Sequence, residues 1–370
     1  MDMSIIIPTR DRTPKVLECL SKLAEQTHAP ERVEVLIGLD GPDTDARHAL
    51  EDRAATCPMS VRVVPCPRAG QASVRNTLIT LARGRLLGML NDDMLPDRDW
   101  VTAHIAAHEE AQERGISAAI IVGRSPWRRH EPDRLFDRLI RETSMIFFHH
   151  HMEAAHGDAA STVAAGDGAD ARWRNWGFRH AWTLNLSVPR EAVMRAGGFS
   201  IFPSTYGYED DELAFRLQGM FGSPVLFRPG AVAEHDHRTE PHDYLMREYR
   251  LGYAACGFAR QSPACALAMF GRDLTDMGGL VYDRATLVRE ARDVSRLIEP
   301  FHALATFPSD AIGGDHAASI LNLIYQQHLP LKRWTFRRGL IDAAEGRAMR
   351  SEIQDVLSLL REFSSSARAA

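Results

Sequence analysis

The chain has 370 residues, 45% of them hydrophobic, which is enough for one large domain with a smaller addition and for a sizeable buried core. Its 44 basic and 49 acidic side chains give a formal net charge of −5, which argues against nucleic acid as the main partner. Five scattered cysteines with no CxxC pair favour a reducing cytoplasm. No apolar run approaches the roughly 18 residues of a membrane span, and no signal peptide is expected. Peripheral attachment to a membrane is not excluded by the sequence.

Residues 1–100 alternate between short apolar runs and segments with the spacing of an amphipathic helix. Strands are predicted at 4–7, 33–39, 61–64 and 85–90, and helices from Thr13, from about Asp43 and over 70–83. This alternation is typical of parallel strands with helices on both faces, and ligands of such sheets bind beyond the carboxyl ends of the strands. We therefore expect Thr9, Asp40 and the pair Asp92-Asp93 to line one crevice, because each lies just past a predicted strand.

The pattern changes after residue 100. A strand is predicted at 120–122 and ordered structure again at 182–188, whereas the small-residue segment 157–171 has the composition of a mobile loop. From about Tyr244 the spacing is mostly helical, with candidate helices at 244–260, 285–304, 317–327 and 346–363. A helical C-terminal region is therefore expected after the strand-rich part of the chain.

Two adjacent carboxylates, Asp92 and Asp93, follow the predicted strand 85–90. Like charges side by side repel, and a shared divalent cation relieves that repulsion. Mg²⁺ held by one or two carboxylates usually takes its other ligands from water and phosphate. A solvated turn, with both acids facing water, is the alternative that the dipeptide alone favours.

A second acidic cluster, Glu209-Asp210-Asp211, opens the segment GYEDDELAFRL, whose later residues have helical spacing. The backbone dipole favours acids at a helix N-terminus, which accounts for one or two of the three. A carboxylate that projects into a cleft can also act as a general base towards a hydroxyl. Both interpretations stay open on this segment alone.

Several histidines have spacings that suggest metal binding. His104 and His108 share one face of a helix, but there is no HExxH motif, so two surface histidines are the favoured interpretation. The run 149–151 is interpreted as a loop or lid, with adventitious metal binding as the alternative. His235, His237 and His242 fall close together, which could suggest zinc.

Six sequence blocks follow one another along the chain: SIIIPTRDR, EVLIGLDGPDTD, GQASVRNTLITLARGRLLGMLNDDMLP, TLNLSVPREAVMRAGGFS, GYEDDELAFRL, and VAEHDHR followed by REYRLGYAA. Through these blocks and their order, the chain resembles the family 2 glycosyltransferases. Together they cover about residues 3–260. The resemblance implies the α/β GT-A fold: a Rossmann-like, mostly parallel central sheet flanked by helices, with a helical C-terminal extension. The implied domains are 1–260 for the glycosyltransferase domain, comprising a nucleotide-sugar-binding half (1–100) and an acceptor-binding half (101–260), and 261–370 for the helical region.

The resemblance implies an inverting glycosyltransferase of the hexosyltransferase type. Such an enzyme moves a sugar from a nucleoside-diphosphate sugar to an acceptor hydroxyl by direct displacement, assisted by Mn²⁺ or Mg²⁺. A non-catalytic nucleotide-sugar or carbohydrate-binding protein on the same fold is the alternative. A Rossmann-type oxidoreductase is disfavoured because the first predicted strand is followed by Pro8-Thr9-Arg10-Asp11, without a glycine.

On the side of the sugar donor, Asp40 resembles the acid that accepts a hydrogen bond from the nucleotide base. Arg75 resembles an arginine directed at the acids or phosphates of the site, with a surface helix position as the alternative. Asp93 resembles the metal ligand, and His235, or else His237, resembles a further ligand. The other candidates for binding the nucleotide sugar are Pro8, Thr9, Arg10, Asn91 and Asp92.

On the acceptor side, Asp210 resembles the base that deprotonates the acceptor hydroxyl, with Glu209 beside it. The candidates for acceptor binding are Trp182, Asn185, Tyr208 and Asp211. Packing is the alternative for the two aromatic residues, and a local hydrogen bond to the backbone is the alternative for Asn185. A carbohydrate or another hydroxyl compound is the expected acceptor, in a cytoplasmic protein whose C-terminal helices could form a homodimer or lie against a membrane surface.

Overall fold

The computed structural model describes residues 1–147, 149–157, 171–204 and 206–366. Most of the predicted mobile loop, 157–171, lies outside the described residues. Internal contacts divide the chain into two compact units. The first comprises Met1–Arg128, His149–Ile201 and Glu209–His237, and the second comprises Arg129–Phe148, Phe202–Tyr208 and Arg238–Ala370.

The helices and strands are labelled in chain order. The strands are β1 (Met3–Thr9), β2 (Val33–Asp40), β3 (Ser60–Cys66), β4 (Leu86–Leu90), β5 (Met94–Pro96), β6 (Ile120–Arg124), β7 (Asn185–Pro189) and β8 (Val225–His235). The helices are α1 (Thr13–Leu23), α2 (Thr44–Ala54), α3 (Gln71–Leu81), α4 (Trp100–Glu113), α5 (Leu135–Glu142), α6 (His149–Gly157), α7 (Arg190–Arg195), α8 (Glu209–Phe221), α9 (Pro241–Gln261), α10 (Pro263–Phe270), α11 (Met277–Ser295), α12 (Ile298–Ala303), α13 (Ala317–Ala344) and α14 (Ile353–Ser366).

All eight labelled strands belong to one sheet of the first unit, in the order β3-β2-β1-β4-β7-β6-β8-β5. The pairs β3–β2, β2–β1, β1–β4 and β6–β8 are parallel, whereas β7 is antiparallel to both of its neighbours and β5 is antiparallel to β8. The predicted α/β class, with a Rossmann-like parallel half, is confirmed.

Burial explains why these segments form the strands and helices predicted for them. β1, β2 and β4 are buried at every residue, as expected for parallel strands covered on both faces, whereas the edge strand β3 is mostly half-exposed. Leu20 and Leu23 of α1, and Val74 and Leu78 of α3, are buried at helical spacing. The parallel half of the sheet therefore lies within the buried core.

The parallel register brings several strand ends to one edge of the sheet. Thr9 ends β1 opposite Leu39 of β2, and Asp40 is the next residue of β2. β4 stops at Leu90, so the acids that follow it leave the sheet at the same edge. The last residue of β8 is His235, which aligns with Met94 of β5. The expected convergence of these segments is therefore observed, and β8 joins them.

The second unit is helical. Its two longest helices, α9 and α13, pack closely because each has a glycine facing the backbone of the other. A Cβ atom at Gly252 would lie 1.9 Å from the carbonyl oxygen of Phe336. A Cβ atom at Gly339 would lie 2.0 Å from the carbonyl oxygen of Tyr249. The predicted domain boundary at residue 260 falls at the end of α9. The contacts of α9 instead group it with the later helices, so the last segment of the second unit begins at Arg238. Among the described residues, no helix combines the length and the apolarity that crossing a bilayer requires.

Three of the predicted C-terminal helices have different limits in the structure, and the one predicted at 346–363 begins only at Ile353. The segment 285–304 forms the end of α11 and the separate helix α12, and α13 continues from the predicted end at 327 to Ala344. Pro330 lies inside α13 and cannot donate a backbone hydrogen bond. The helix continues past it because buried Leu331, Trp334 and Leu340 hold the following turns.

Candidate active site

A cleft open to solvent, about 460 Å³ in volume, lies beyond the carboxyl ends of β1 and β2. It is lined by residues 9–13, 39–43 and 46 and by Arg68. Asp40 is fixed within it, because one carboxylate oxygen accepts hydrogen bonds from the backbone N–H groups of Ala69 (2.8 Å) and Gly70 (3.1 Å). The other oxygen of Asp40 lies 3.5 Å from Nη1 of Arg10. The predicted Thr9, Arg10 and Asp40 are thus brought together, while Pro8 is buried within β1.

Asp92 is buried at the rim of this cleft. Its Oδ2 accepts a hydrogen bond from Oγ1 of Thr9 (2.8 Å), and its Oδ1 accepts one from Nη1 of Arg12 (2.9 Å). Burial raises the pKa of Asp92 to about 6, although the charge of Arg12 acts in the opposite direction. The exposed, solvated turn that the dipeptide alone favoured is therefore wrong, because Asp92 is 5% exposed and Asp93 is 4% exposed.

Asp93 lies among three cationic or titratable side chains. Its Oδ2 is 2.6 Å from Nη2 of Arg12, 3.4 Å from Nε2 of His235 and 3.5 Å from Nδ1 of His237. Burial by itself would raise the pKa of Asp93, but the charge of His235 and the hydrogen bonds from both histidines outweigh it and lower the pKa well below the usual range. Asp93 therefore carries its charge at neutral pH.

The side chain of His235 is held in place by its own neighbours. Its ring stacks on that of Trp127, with centroids 4.3 Å apart, and its backbone N–H donates to the carbonyl of Pro126 (2.8 Å). Next to it, the backbone N–H of Asp236 donates to the carbonyl of Asp93 (2.8 Å). The structure thus brings both predicted histidines, His235 and His237, to Asp93.

These residues fit a divalent cation that would be shared with a phosphate ligand. Oδ1 of Asp93 is buried and has no hydrogen-bond partner within the described part of the chain. A carboxylate and an imidazole are suitable ligands for Mn²⁺, and a nucleotide would supply further oxygens. Within the described ranges, no cluster of three or more His, Cys, Asp or Glu side chains has the arrangement of a complete metal site. The protein alone therefore provides a partial ligand set.

Arg75 links the donor side to the acidic cluster of α8. It is 1% exposed, so the surface position considered for it is wrong. Nη2 donates to Oδ1 of Asn91 (3.1 Å), and Nη1 lies 3.8 Å from Oε1 of Glu209 and 3.6 Å from Oδ1 of Asp210. A buried guanidinium requires opposite charges nearby, and these acids provide them. Asn91, Glu209 and Asp210 thus meet around one side chain.

Asp210 is held by a residue that the sequence interpretation missed. Its Oδ2 accepts two hydrogen bonds from Thr183, one from the backbone N–H (3.0 Å) and one from Oγ1 (2.7 Å). Its Oδ1 is buried and has no hydrogen-bond partner among the residues that the structure describes. Thr183 is the first residue of the TLNLS block, and nothing in that block alone indicates which acid it contacts. One oxygen of Asp210 is therefore fixed by Thr183, and the other lies near Arg75 without a hydrogen bond from it.

The other predicted acceptor residues have different surroundings. Trp182 packs edge-on against the ring of His149, with centroids 4.8 Å apart. Burial, reinforced by the charges of Asp210 and Glu209, raises the pKa of Asp211 well above its usual range, so this acid favours its neutral form. Within the second unit, the ring of Tyr208 stacks on Phe258 at 4.7 Å.

Asn185 belongs to a buried hydrogen-bond network. Its Oδ1 accepts from Nε1 of Trp100 (2.7 Å) and faces Nε2 of His104 (3.0 Å), and its Nδ2 donates to the carbonyls of Arg124 and Ala231 (both 3.0 Å). All four of its hydrogen-bonding positions are therefore used within the protein. The partners of Asn185 are distant in sequence rather than local backbone groups, and they leave it no group with which to bind an acceptor.

The expectation of two surface histidines on α4 is wrong. His104 is 0% and His108 is 6% exposed, because their shared face packs on the sheet. Ser187 of β7 bridges them, at 2.8 Å from Nδ1 of His104 and 2.8 Å from Nε2 of His108. Burial lowers the pKa to about 4 for His104 and to about 3 for His108, so both rings stay neutral.

Asn185→Leu is expected to lower the free energy of unfolding by at least about 3 kcal/mol, because it leaves several buried donors and acceptors without partners. Urea-induced unfolding followed by near-ultraviolet circular dichroism measures this change. Asn322→Leu is the matched control, because Asn322 is exposed on α13 and should unfold at the same urea concentration as the unmodified chain. Equal midpoints for both variants would show that the network contributes nothing to stability.

Comparison with known proteins adds the family context. Residues 4–164 match the model of the family described as Glycosyl transferase family 2. Validoxylamine A glucosyltransferase of Streptomyces hygroscopicus subsp. limoneus is 29% identical over 252 residues, which cover 64% of this chain and 53% of the relative. The succinoglycan biosynthesis protein ExoM of Rhizobium meliloti (strain 1021) is 30% identical over 223 residues, covering 60% of this chain and 62% of the relative. The chain thus spans between about half and two thirds of the length of these curated relatives.

A solved structure is similar over nearly the whole chain. The mannosyltransferase PcManGT from Pyrobaculum calidifontis, in complex with GDP-Man and Mn²⁺, superposes with a TM-score of 0.52 at 17% identity, covering 93% of this chain and 86% of that one. This likeness concerns the fold, and it confirms the predicted GT-A architecture with C-terminal helices.

Proposed function

Because the chain belongs to glycosyltransferase family 2, we propose that it transfers a hexosyl group from a nucleoside-diphosphate sugar to an acceptor hydroxyl by direct displacement, with inversion at the anomeric carbon. A divalent cation, Mn²⁺ or Mg²⁺, assists the reaction. Two facts about similar proteins support the proposal: a curated relative is named a glucosyltransferase, and the similar mannosyltransferase was solved with GDP-Man and Mn²⁺.

The geometry of Asp210 is the observation that carries the proposal. A general base needs a charged oxygen that is free to accept the proton of the acceptor and a side chain that does not rotate. Thr183 fixes Oδ2 by two hydrogen bonds, while Oδ1 is buried without a hydrogen-bond partner in the described chain. Arg75, at 3.6 Å from Oδ1, stabilises the negative charge.

The remaining residues bind the sugar donor. Asp40, fixed by two backbone N–H groups, would accept a hydrogen bond from the nucleotide base, and Arg10 beside it would bind phosphate. Asp93 and His235 would hold the cation, which supplies Lewis-acid stabilisation of the departing nucleoside diphosphate. Asp210 takes the hydroxyl proton, the acceptor oxygen forms the new bond, and the bond from the sugar to the diphosphate breaks. One base without a protein nucleophile gives a single displacement and therefore inversion.

A panel of nucleoside-diphosphate sugars, incubated with and without Mn²⁺, tests this function. A glycosyltransferase is expected to hydrolyse its own sugar donor slowly, so release of nucleoside diphosphate from one member of the panel identifies that donor. Binding of a sugar donor without hydrolysis and without transfer to any tested hydroxyl compound would instead favour a non-catalytic nucleotide-sugar-binding protein. Release that is the same with Mn²⁺ and with a chelator would contradict the role of the metal.

A further inference from the structure

The side chain of Arg12 lies between Asp93, the proposed metal ligand, and the adjacent acid Asp92. Nη1 contacts Oδ1 of Asp92 at 2.9 Å, and Nη2 contacts Oδ2 of Asp93 at 2.6 Å. The same nitrogen, Nη2, is 3.3 Å from Nδ1 of His237. Both terminal nitrogens of the guanidinium are therefore engaged by groups that would otherwise surround a cation.

Electrostatics explains why a cation is needed at this point. Asp92 and Asp93 are adjacent, and both are at least nine-tenths buried. Two carboxylates in such surroundings repel strongly unless a positive charge lies between them. The neighbouring acid Asp236 has separate partners, Lys15 and Arg128, so these two cations are already engaged.

The backbone places Arg12 in this position without fixing its side chain. Asp11, the residue before it, has a φ of 55°, in the left-handed region, which turns the chain sharply between β1 and α1. Arg12 then precedes the first turn of α1, and its side chain makes no capping hydrogen bond to the helix. The side chain is 36% exposed and lines the open cleft. A long, partly exposed side chain of this kind can leave the acids without any rearrangement of the sheet.

We infer that Arg12 occupies the cation position of the site and competes with the divalent metal for Asp92 and Asp93. The inference rests on the metal role of the proposed function and adds the residue that regulates it. Mn²⁺ binds carboxylate oxygen at close range, and it repels a guanidinium on the same oxygen, so both cannot hold Oδ2 of Asp93 together. A metal that binds Oδ2, the oxygen nearest to His235, must displace Arg12, and the affinity for the metal then reflects the difference between the two interactions.

The test is a direct measurement of Mn²⁺ binding, independent of turnover. Free Mn²⁺ is followed by electron paramagnetic resonance during titration of the full chain at pH 8. Arg12→Ala is expected to bind Mn²⁺ at least about tenfold more tightly than the unmodified chain, because the competing charge is gone. Arg12→Gln, which keeps the length of the side chain but not its charge, is expected to show the same gain.

Two control variants distinguish an effect specific to Arg12 from the general effect of removing a positive charge. Arg47→Ala removes an exposed arginine that pairs with Glu51 on α2, and it should change the affinity for Mn²⁺ by less than about twofold. Arg12→Lys keeps the charge but loses the two-pronged contact, so its affinity should stay close to that of the unmodified chain. Thermal unfolding of each variant establishes that the site is still folded.

The outcomes separate this inference from the proposed function. Tighter binding in both neutral variants supports competition by Arg12. Measurable Mn²⁺ binding by the unmodified chain, with equal or weaker binding in folded Arg12→Ala and Arg12→Gln, overturns the inference and leaves the metal role intact. If Mn²⁺ binds to none of the variants, either alone or with added GDP or UDP, the metal role and the inference both fail, while transfer without a metal still stands.

Discussion

Asp210→Asn is expected to reduce the rate of sugar transfer at least about a hundredfold, because a general base contributes roughly 10²- to 10⁴-fold. The amide of asparagine has the size of the carboxylate, and its oxygen can still accept both hydrogen bonds from Thr183. It cannot take a proton from the acceptor at neutral pH. The sugar donor binds through other residues, so its Kd should stay within about twofold of the unmodified value.

Calorimetric titration of the variant with its sugar donor, in parallel with turnover assays, separates these two effects. Asp243→Asn is a matched control, because Asp243 is an exposed aspartate on α9 and should leave turnover unchanged. If Asp210→Asn transfers sugar at the unmodified rate, Asp210 is not the base. If instead the Kd of the sugar donor rises in parallel with the loss of turnover, Asp210 contributes to donor binding.

Asp93→Ala is expected to weaken binding of the sugar donor in Mn²⁺ on the order of a hundredfold, because it removes the best-placed carboxylate from the cation that bridges to the diphosphate. The adjacent histidines and Arg12 keep Asp93 charged in spite of its burial, so its carboxylate can serve a cation in the neutral range. In the presence of a chelator, the affinities of the unmodified chain and the variant should become similar.

Titration calorimetry with and without the metal provides this comparison. Asp93→Asn accompanies the alanine variant, because it keeps an oxygen that can accept the hydrogen bond from Arg12 and thereby controls for local rearrangement. An affinity that depends on Mn²⁺ to the same degree in all three proteins would show that Asp93 is not a metal ligand.

The sequence predicted the parallel half of the sheet well, for a physical reason. The strands β1, β2 and β4 are buried on both faces, so each is a largely apolar run that ends at a polar residue or just before one. The short strand β5 has only three residues, Met94–Pro96, and no alternation that could reveal it. Its existence depends on pairing with β8, which lies far away in the sequence.

The same contrast applies to the site. Asp93, Asp210 and His235 lie in short motifs, and the structure brings each of them to a polar cluster. Arg12 and Thr183 were missed because their roles depend on tertiary contacts: Arg12 reaches the acids only through the left-handed turn at Asp11, and Thr183 contacts Asp210 across the first unit. The spacing of residues in the sequence does not reveal such tertiary contacts.

For the histidines on α4, the predicted helix face is correct but the predicted exposure is wrong. The spacing of His104 and His108 places them on one face, and polar side chains are usually expected to face the solvent. Here Asn185 and Ser187 of β7 offer partners inside the core, so burial costs the two rings little. Their neutral state follows from this burial and could not be predicted from the helix alone.

The position of β7 in the sheet has a consequence for synthesis of the protein. β4 pairs with β7, so that Leu90 lies opposite Asn185, and the ribosome completes the first four strands well before β7 emerges. Throughout that interval the nascent chain presents one edge of β4 with unpaired backbone groups and apolar side chains. A truncated product that ends before β7 should therefore aggregate or recruit chaperones, whereas a chain extending through β8 closes that edge.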